Sequence, residues 1–451
     1  MSPPAPLFSR NVNQNMSEND EVSKREDTIS LKYYIAHVLL VLGYARIWPV
    51  KTFSLITALI STGGTIFFIL INSVLLFSEI VAVTMNHDLR LFANIIGVIG
   101  MHAVGLIKWC YCLYKNKEIV DIVTKLGSCH VLCQRLDDSE EGCQTYNNEM
   151  EYARKYSLYF LWCWTFACIY GVLHWCANPL LLEWTLDQIS AINQTSNQRI
   201  LPFVAWYPLN TNNIYNYVSL YLMQLIGGIS PALGIICYDT FYVTMLMVIY
   251  VQFHYITMAM KKTDNIFANE SEAMFNLEKK LKNCVDCHVE IKTFLKMLQA
   301  FSGPTMFAQC IETLIILCLV SFEASVIKIA FDMESILKLW SLLEYFLAAA
   351  FQLYIFCFLA TQIEYLGLKM ADSVYCCGWE LLIFGKSKLY GKELKGRDIG
   401  RLVQVIMIQA QRPIVLTGGP FYVLSLETFR VIMSMAISNA LILHTLINRD
   451  E

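Results

Sequence analysis

The sequence predicts an all-α membrane protein: seven transmembrane helices, with the N-terminus in the cytoplasm and the C-terminus outside. Three observations carry this. Hydrophobic residues make up 56% of the 451 residues and charged residues only 16%, with a mean hydropathy of +0.46. Soluble domains run at about 25% charged. Seven apolar stretches reach the roughly 20 residues that a spanning helix needs, and the last, Val431 to Asn448, contains no Asp, Glu, Lys or Arg. Lys and Arg alternate between rich and poor loops along the whole chain, and the rich side is cytoplasmic by the positive-inside rule. The net charge of -3 points to no nucleic-acid partner.

The elements follow in order. Residues 1–53 carry Arg10, Lys24, Arg25, Lys32, Arg46 and Lys51, and Met1 to Asp27 is polar and lacks the apolar core of a cleavable signal peptide. They read as a cytoplasmic N-terminal region, so insertion is expected to rely on the first span. Residues 54–366 hold six spans. S1 is Ser54 to Ser78, uncharged throughout, and S2 is Leu91 to Ile107, continuing past Lys108 to Tyr114. Only Arg90 lies between them, whereas the S2–S3 loop has Lys115, Lys117, Lys125, Arg135, Arg154 and Lys155. S3 is Tyr156 to Leu182, and the long loop after it contains Arg199 alone. S4 begins at Ile214, and its apolar pattern persists past Asp239 to Met260. At 1.5 Å per residue this is about 70 Å, far beyond a hydrocarbon core of about 30 Å. A kink near Pro231 and a cytoplasmic projection are expected. The lysine-rich S4–S5 region leads to S5, Met297 to Ala330, then S6, Leu339 to Leu366. Residues 367–423 are basic, and Leu402, Val405, Ile406 and Gln409 recur at helical spacing, which predicts a cytoplasmic helix ending at a Pro413–Pro420 turn. Residues 424–451 hold S7, Leu424 to Ile447, and a short outer tail.

Cysteine usage suits a reducing inner face: sixteen residues are scattered through spans and inner loops without a framework outside. Cys284-Val-Asp-Cys287-His288 spells a c-type haem attachment pattern, but it falls in an inner loop with no second haem feature, and ordinary thiols in a helical turn are the plain reading. Cys129-His130 and Cys133 have no second ligand pair at zinc spacing. No nucleophile–base arrangement or phosphate loop is found, so an enzyme and a cofactor are not expected. Of the glycosylation sequons, only Asn193 falls on the outer side. A G-protein-coupled receptor would have the opposite orientation. It would also carry Asp-Arg-Tyr after S3 and Asn-Pro-x-x-Tyr in S7. Neither is present, and Asn178-Pro179 lies in S3. A transporter would show internal repeats, and none is found.

The C-terminal third reads Gln409-Ala-Gln-Arg412-Pro413, Leu416-Thr-Gly-Gly419 and Ser425-Leu-Glu-Thr-Phe429. With Gln352-Leu-Tyr354, Tyr375-Cys-Cys-Gly-Trp379 and the approach to S5 around His288, Phe301-Ser302 and Gln309, it resembles the insect odorant receptor family. It departs from the family pattern at Gly418-Gly419-Pro420 and Asn439. The resemblance implies a tetrameric ligand-gated, non-selective cation channel in the plasma membrane of olfactory sensory neurons. A tuned subunit would bind a small volatile apolar odorant and assemble with the shared coreceptor, Orco. The S4–S5 connection lacks the long insertion of the coreceptor, so this chain resembles a tuned subunit. The resemblance also implies a pore-lining S7 and an intersubunit anchor formed by residues 367–423.

Two site readings follow. In S7, Ser438, Ile442, Thr445 and Leu446 fall where the family has its gate, and Ile442 and Leu446 lie one turn apart on one face. Rings of Ile and Leu would form a dewetting constriction; packing against S5 or lipid is the alternative. For the ligand, the outer halves of S2, S3, S4 and S6 are the family's location. They offer Phe92, Ile95, Ile99 and His102, then Cys168, Gly171, His174 and Trp175, then Tyr217 and Tyr221, and finally Leu342 and Tyr345. Spacings of three and four place each group on one face. Gly171 opens room, Trp175 can wall it, and Tyr hydroxyls can donate to a carbonyl. His102 and His174 are open to a packing role instead. Lys108, Asp239, Glu312, Glu323 and Glu344 are expected to face protein or water. With no ionic anchor among the selected residues, the expected ligand is neutral.

Overall fold

The computed structural model describes residues 29–49, 54–85, 89–190, 199–261, 270–326, 333–380, 390–419 and 422–450. Two short helices, α1 (Leu31–Tyr34) and α2 (Ala36–Tyr44), precede the bundle. The long helices are α3 (Leu55–Met85), α4 (Leu89–Tyr114), α6 (Glu140–Ser190), α7 (Ile214–Lys261), α8 (Glu270–Val326) and α9 (Met333–Tyr375), with α5 (Asn116–Gln134) between α4 and α6. After α10 (Tyr390–Ala410), strands β1 (Thr417–Gly418) and β2 (Tyr422–Val423) form a two-residue antiparallel pair, and α11 (Leu426–Asp450) ends the chain. Among the described residues, the six helices α3, α4, α6, α7, α8 and α9 are long and apolar enough to cross a membrane. They correspond to S1 to S6, and α11 takes the place of S7.

α7 is the axis of the fold. From Tyr238 to Leu246 every side chain is buried, because α3, α4, α6 and α9 pack around it. A helix apolar on every face is stable only when enclosed. It runs as one helix, Ile214–Lys261, with Pro231 inside it. Pro231 serves as a contact point: a Cβ on Gly105 of α4 would sit 2.5 Å from the Pro231 carbonyl oxygen, and one on Gly234 would collide with the Gly105 carbonyl. Two backbones therefore touch at this crossing, and neither can yield as a side chain would. Gly105→Ala should force the helices apart at a cost of about 1–3 kcal/mol or more. The expected result is strongly reduced surface expression, measured by labelling of an extracellular tag, and wild-type levels would contradict the crossing.

Helix boundaries move outward from the apolar spans: α8 begins at Glu270, ahead of the expected start of S5 at Met297. α6 begins at Glu140, well before the apolar start of S3, because a helix continues into water where hydropathy ends. The turn into the last helix is a β-pair rather than a simple break. Gly419 has φ +73°, and a Cβ there would lie 2.7 Å from Phe307 Cβ, so only glycine fits. Gln299 Nε2 donates to Thr417 Oγ1 at 2.6 Å, and Leu426 N–H donates to Thr361 Oγ1 at 3.0 Å. The entry of α11 is thus pinned to α8 and α9.

At the end of the bundle remote from residues 199–213, α1 docks through His130, whose Nε2 donates to the Ile29 carbonyl at 3.0 Å while Nδ1 accepts from Tyr146 at 2.8 Å. Burial holds His130 below its ordinary pKa. Cys129, Cys133, Cys284 and Cys287 are buried in the same α5–α8 region as free thiols. Among the described residues no group of three His, Cys, Asp or Glu is arranged to hold a metal.

Candidate functional site: an aromatic cavity and a polar floor

Residues 199–209 fold onto the bundle end beside α6 and α7. Gln224 clamps Phe203 from both sides: its Oε1 accepts from Phe203 N–H at 2.8 Å and its Nε2 donates to the Phe203 carbonyl at 2.9 Å. Trp206 N–H donates to the Ser78 carbonyl at 3.0 Å, and Trp175 Nε1 donates to the Pro202 carbonyl at 3.2 Å. Beneath this segment lies a cavity of about 410 Å³, lined by α4, α6, α7, α8 and α9. Ligand cavities commonly run about 300–1,000 Å³. Its walls include Trp164, Phe166, Tyr170, Trp175, Phe203, Tyr345 and Phe351. A smaller chamber of about 250 Å³ adjoins it, lined by Asn178, Leu201, Pro202 and Leu342, and shares Trp175 and Ser341 with it.

The sequence-selected residues divide as follows. Cys168, Gly171, Trp175 and Tyr345 line the main cavity, and Leu342 lines the smaller chamber. A Cβ on Gly171 would meet nothing within 4 Å, so this glycine opens space. Ile95, Ile99, His102, His174, Tyr217 and Tyr221 are not among the lining residues. Ile95 is buried in helix packing. His102 is fully buried, its Nδ1 3.0 Å from Glu79 Oε2, with its ring edge-to-face on Phe203 at 4.9 Å. Tyr217 donates to the Ile200 carbonyl at 3.2 Å, and Tyr221 to the Cys176 carbonyl. Their hydroxyls hold backbone rather than a ligand. His174 stands behind the wall, its Nδ1 2.7 Å from Glu344 Oε2 and its ring stacked on Tyr170. The side chain of Phe92 lies outside the described residues.

Sequence reasoning did not select Glu312, Glu344 or Gln352, which all line the cavity. Ser341, Glu344, Tyr345, Ala348 and Gln352 lie at helical spacing on one face of α9, and that spacing was the signal available. Gln352 belongs to a buried polar floor. Its Nε2 donates to Asp239 Oδ2 and its Oε1 accepts from Gln309 Nε2 at 3.0 Å, while Gln309 also donates to Glu312 Oε2. Asp239 Oδ1 lies 2.6 Å from Lys108 Nζ, with both side chains at 1% exposure or less. One buried turn thus joins α4, α7, α8 and α9. The next surface of α8 bears on the β-pair: a Cβ on Gly418 would lie 3.2 Å from Cys310 Sγ.

α11 presents a narrow packed stripe, Ile432, Ala436 and Ala440, buried against its neighbours, chiefly α8. Ser434, Ser438, Asn439, Ile442 and Thr445 are exposed. Ser434, Ser438, Ile442 and Thr445 share one helical face. The side chain of Leu446 lies outside the described residues.

A family model for the 7tm Odorant receptor matches residues 89–437. The chain belongs to the 7tm Odorant receptor family. Among curated relatives, Odorant receptor 13a of Drosophila melanogaster is 23% identical over 291 residues, covering 63% of this chain and 65% of its own length. Odorant receptor 83a of the same species is 21% identical over 332 residues, covering 63% of this chain and 67% of that receptor. The match thus spans about two thirds of each relative's length. The insect olfactory receptor OR5 from Machilis hrabei, solved in complex with eugenol, has the same fold, with a TM-score of 0.71 at 14% identity over 92% of this chain and 98% of that one. An odorant receptor of this fold is a multi-pass membrane protein, as the apolar helices require.

Proposed function

We propose that this odorant receptor is the odorant-binding subunit of an odorant-gated, non-selective cation channel, assembled as a heterotetramer with the odorant receptor coreceptor (Orco) in the plasma membrane of olfactory sensory neurons. The observation that carries the reading is the aromatic cavity at one end of the bundle, whose polar floor includes Gln309 and Glu312 of α8, the helix that also supports the β-pair and α11. Lys/Arg alternation supports an N-terminus inside, which puts the cavity in the outer half. α11 would line the central pore with its Ser434–Ser438–Ile442–Thr445 face, and residues 367–423 would form the cytoplasmic anchor between subunits. Opening then needs only a ligand that binds the open arrangement better than the closed one.

Gly171 provides the test. Gly171→Val should fill open space without a clash and shorten the cavity. Across a series of odorants differing by one carbon, the preferred length should fall. One methylene in a fitted pocket corresponds to about 1–3 kcal/mol, or roughly 10–200-fold in potency. Trp175→Ala should move the preference towards longer members. Unchanged rank order in both variants at normal surface expression would place the odorant elsewhere.

A further inference from the structure

Four of the cavity's donors are committed to protein acceptors: Tyr345 OH to the Gly97 carbonyl at 2.9 Å, Trp175 Nε1 to Pro202, Ser341 Oγ to the Leu337 carbonyl at 2.9 Å, and Gln352 Nε2 to Asp239. Trp164 Nε1 is buried without a partner among the described residues. The carboxylate of Glu344 is only half satisfied. Glu344 Oε2 is held by His174, but Glu344 Oε1 is buried with no partner among the described residues. Glu312 adds a second carboxylate to the lining. No Lys or Arg lines this cavity; the neighbouring Lys108 is turned to Asp239. A buried carboxylate oxygen without a donor is costly, and a ligand that brings the donor removes that cost. Seven aromatic rings, whose faces attract cations, stand in the remaining wall among aliphatic side chains.

Resting on the reading of this cavity as the odorant site, we infer that its preferred ligands are primary amines with a compact apolar or aromatic body, the ammonium group donating to Glu344 Oε1. An alkylammonium has an ordinary pKa near that of lysine, about 10.4, and arrives charged at neutral pH. Charge-assisted hydrogen bonds are about twice as strong as neutral ones, so an alcohol of the same body should rank second. Ethers and esters, which only accept, should rank below both, and carboxylates should be excluded by Glu312 and Glu344. This revises the sequence-based expectation of a neutral ligand. That expectation arose because Glu344 could not be placed on the cavity face without the packing of α9.

The test uses the receptor purified with its coreceptor. Binding of 2-phenylethylamine, 2-phenylethanol, methyl 2-phenylethyl ether and phenylacetate is read from quenching of tryptophan emission, since Trp164 and Trp175 wall the cavity. The amine is expected to bind at least tenfold more tightly than the ether, with phenylacetate silent. Glu344→Gln, which keeps the His174 hydrogen bond possible, should erase the amine's advantage and leave the ether unchanged. The wild-type ligand series decides the question even if that variant fails to fold. Equal or tighter binding of the ether, or no binding of the amine, overturns the inference. If Gly171→Val alters binding but Glu344→Gln does not, the amine inference fails and the cavity stands. If neither variant alters binding of any ligand, the cavity assignment itself falls, and this inference with it.

Discussion

Lys108→Met alone, or Asp239→Asn alone, should remove most receptor from the cell surface, whereas the double variant Lys108→Met/Asp239→Leu should recover much of it. The pair is 2.6 Å apart and almost wholly buried, on helices 131 residues apart in sequence. Removing one partner leaves a buried charge uncompensated, at a cost of about 3–5 kcal/mol. Replacing both with apolar groups removes the desolvation penalty along with the attraction, and such exchanges are often neutral or stabilising. Surface labelling and thermal unfolding of purified protein measure this directly. If each single variant is expressed and melts like wild type, the pair does not hold α4 against α7. The double variant also loses the Asp239 acceptor of Gln352. If the polar floor couples the cavity to α8, it should reach the surface yet respond to ligand with reduced maximal current.

The second large effect lies on α11. Ile442 is exposed at 57% in the single chain, on the face that carries Ser438 and Thr445. In a tetramer with this face at the axis, four apolar side chains would form a constriction that excludes water. Ile442→Ser should hydrate that ring and raise ligand-free current severalfold. Ser438→Cys, facing the same column, should make the current sensitive to a charged thiol reagent. Normal surface expression with unaltered basal current and no reagent effect would turn this face away from the pore.

The extent to which the site could be read from sequence follows from what each signal measures. Apolar length marks where a chain meets hydrocarbon, so α3, α4, α7 and α9 were visible, but it cannot mark where a helix stops; α6 starts at Glu140 among polar residues. Gly171 and Trp175 were legible because small and large residues one turn apart on a helix leave and close a space. Tyr217 and Tyr221 had the same spacing logic, yet their hydroxyls reach backbone carbonyls, a matter of the 199–209 segment and of α6 that no periodicity encodes. Intramembrane charge announced that Lys108 and Glu344 needed protein or water around them. Their partners, Asp239 and His174, are set by how helices remote in sequence pack, which is tertiary information. His102 was similarly ambiguous until Glu79 appeared beside it.

The central claim, that ligand binding and ion conduction belong to one complex, is tested most directly in an excised membrane patch from cells co-expressing this receptor and the coreceptor. Both faces are bathed in solution free of nucleotides, so no G protein or second messenger can act. The account predicts that applying a ligand identified by the binding series opens a cation current in the patch, and that Gly171→Val changes which ligands do so. A ligand-evoked current in intact cells that disappears in the nucleotide-free patch would contradict it.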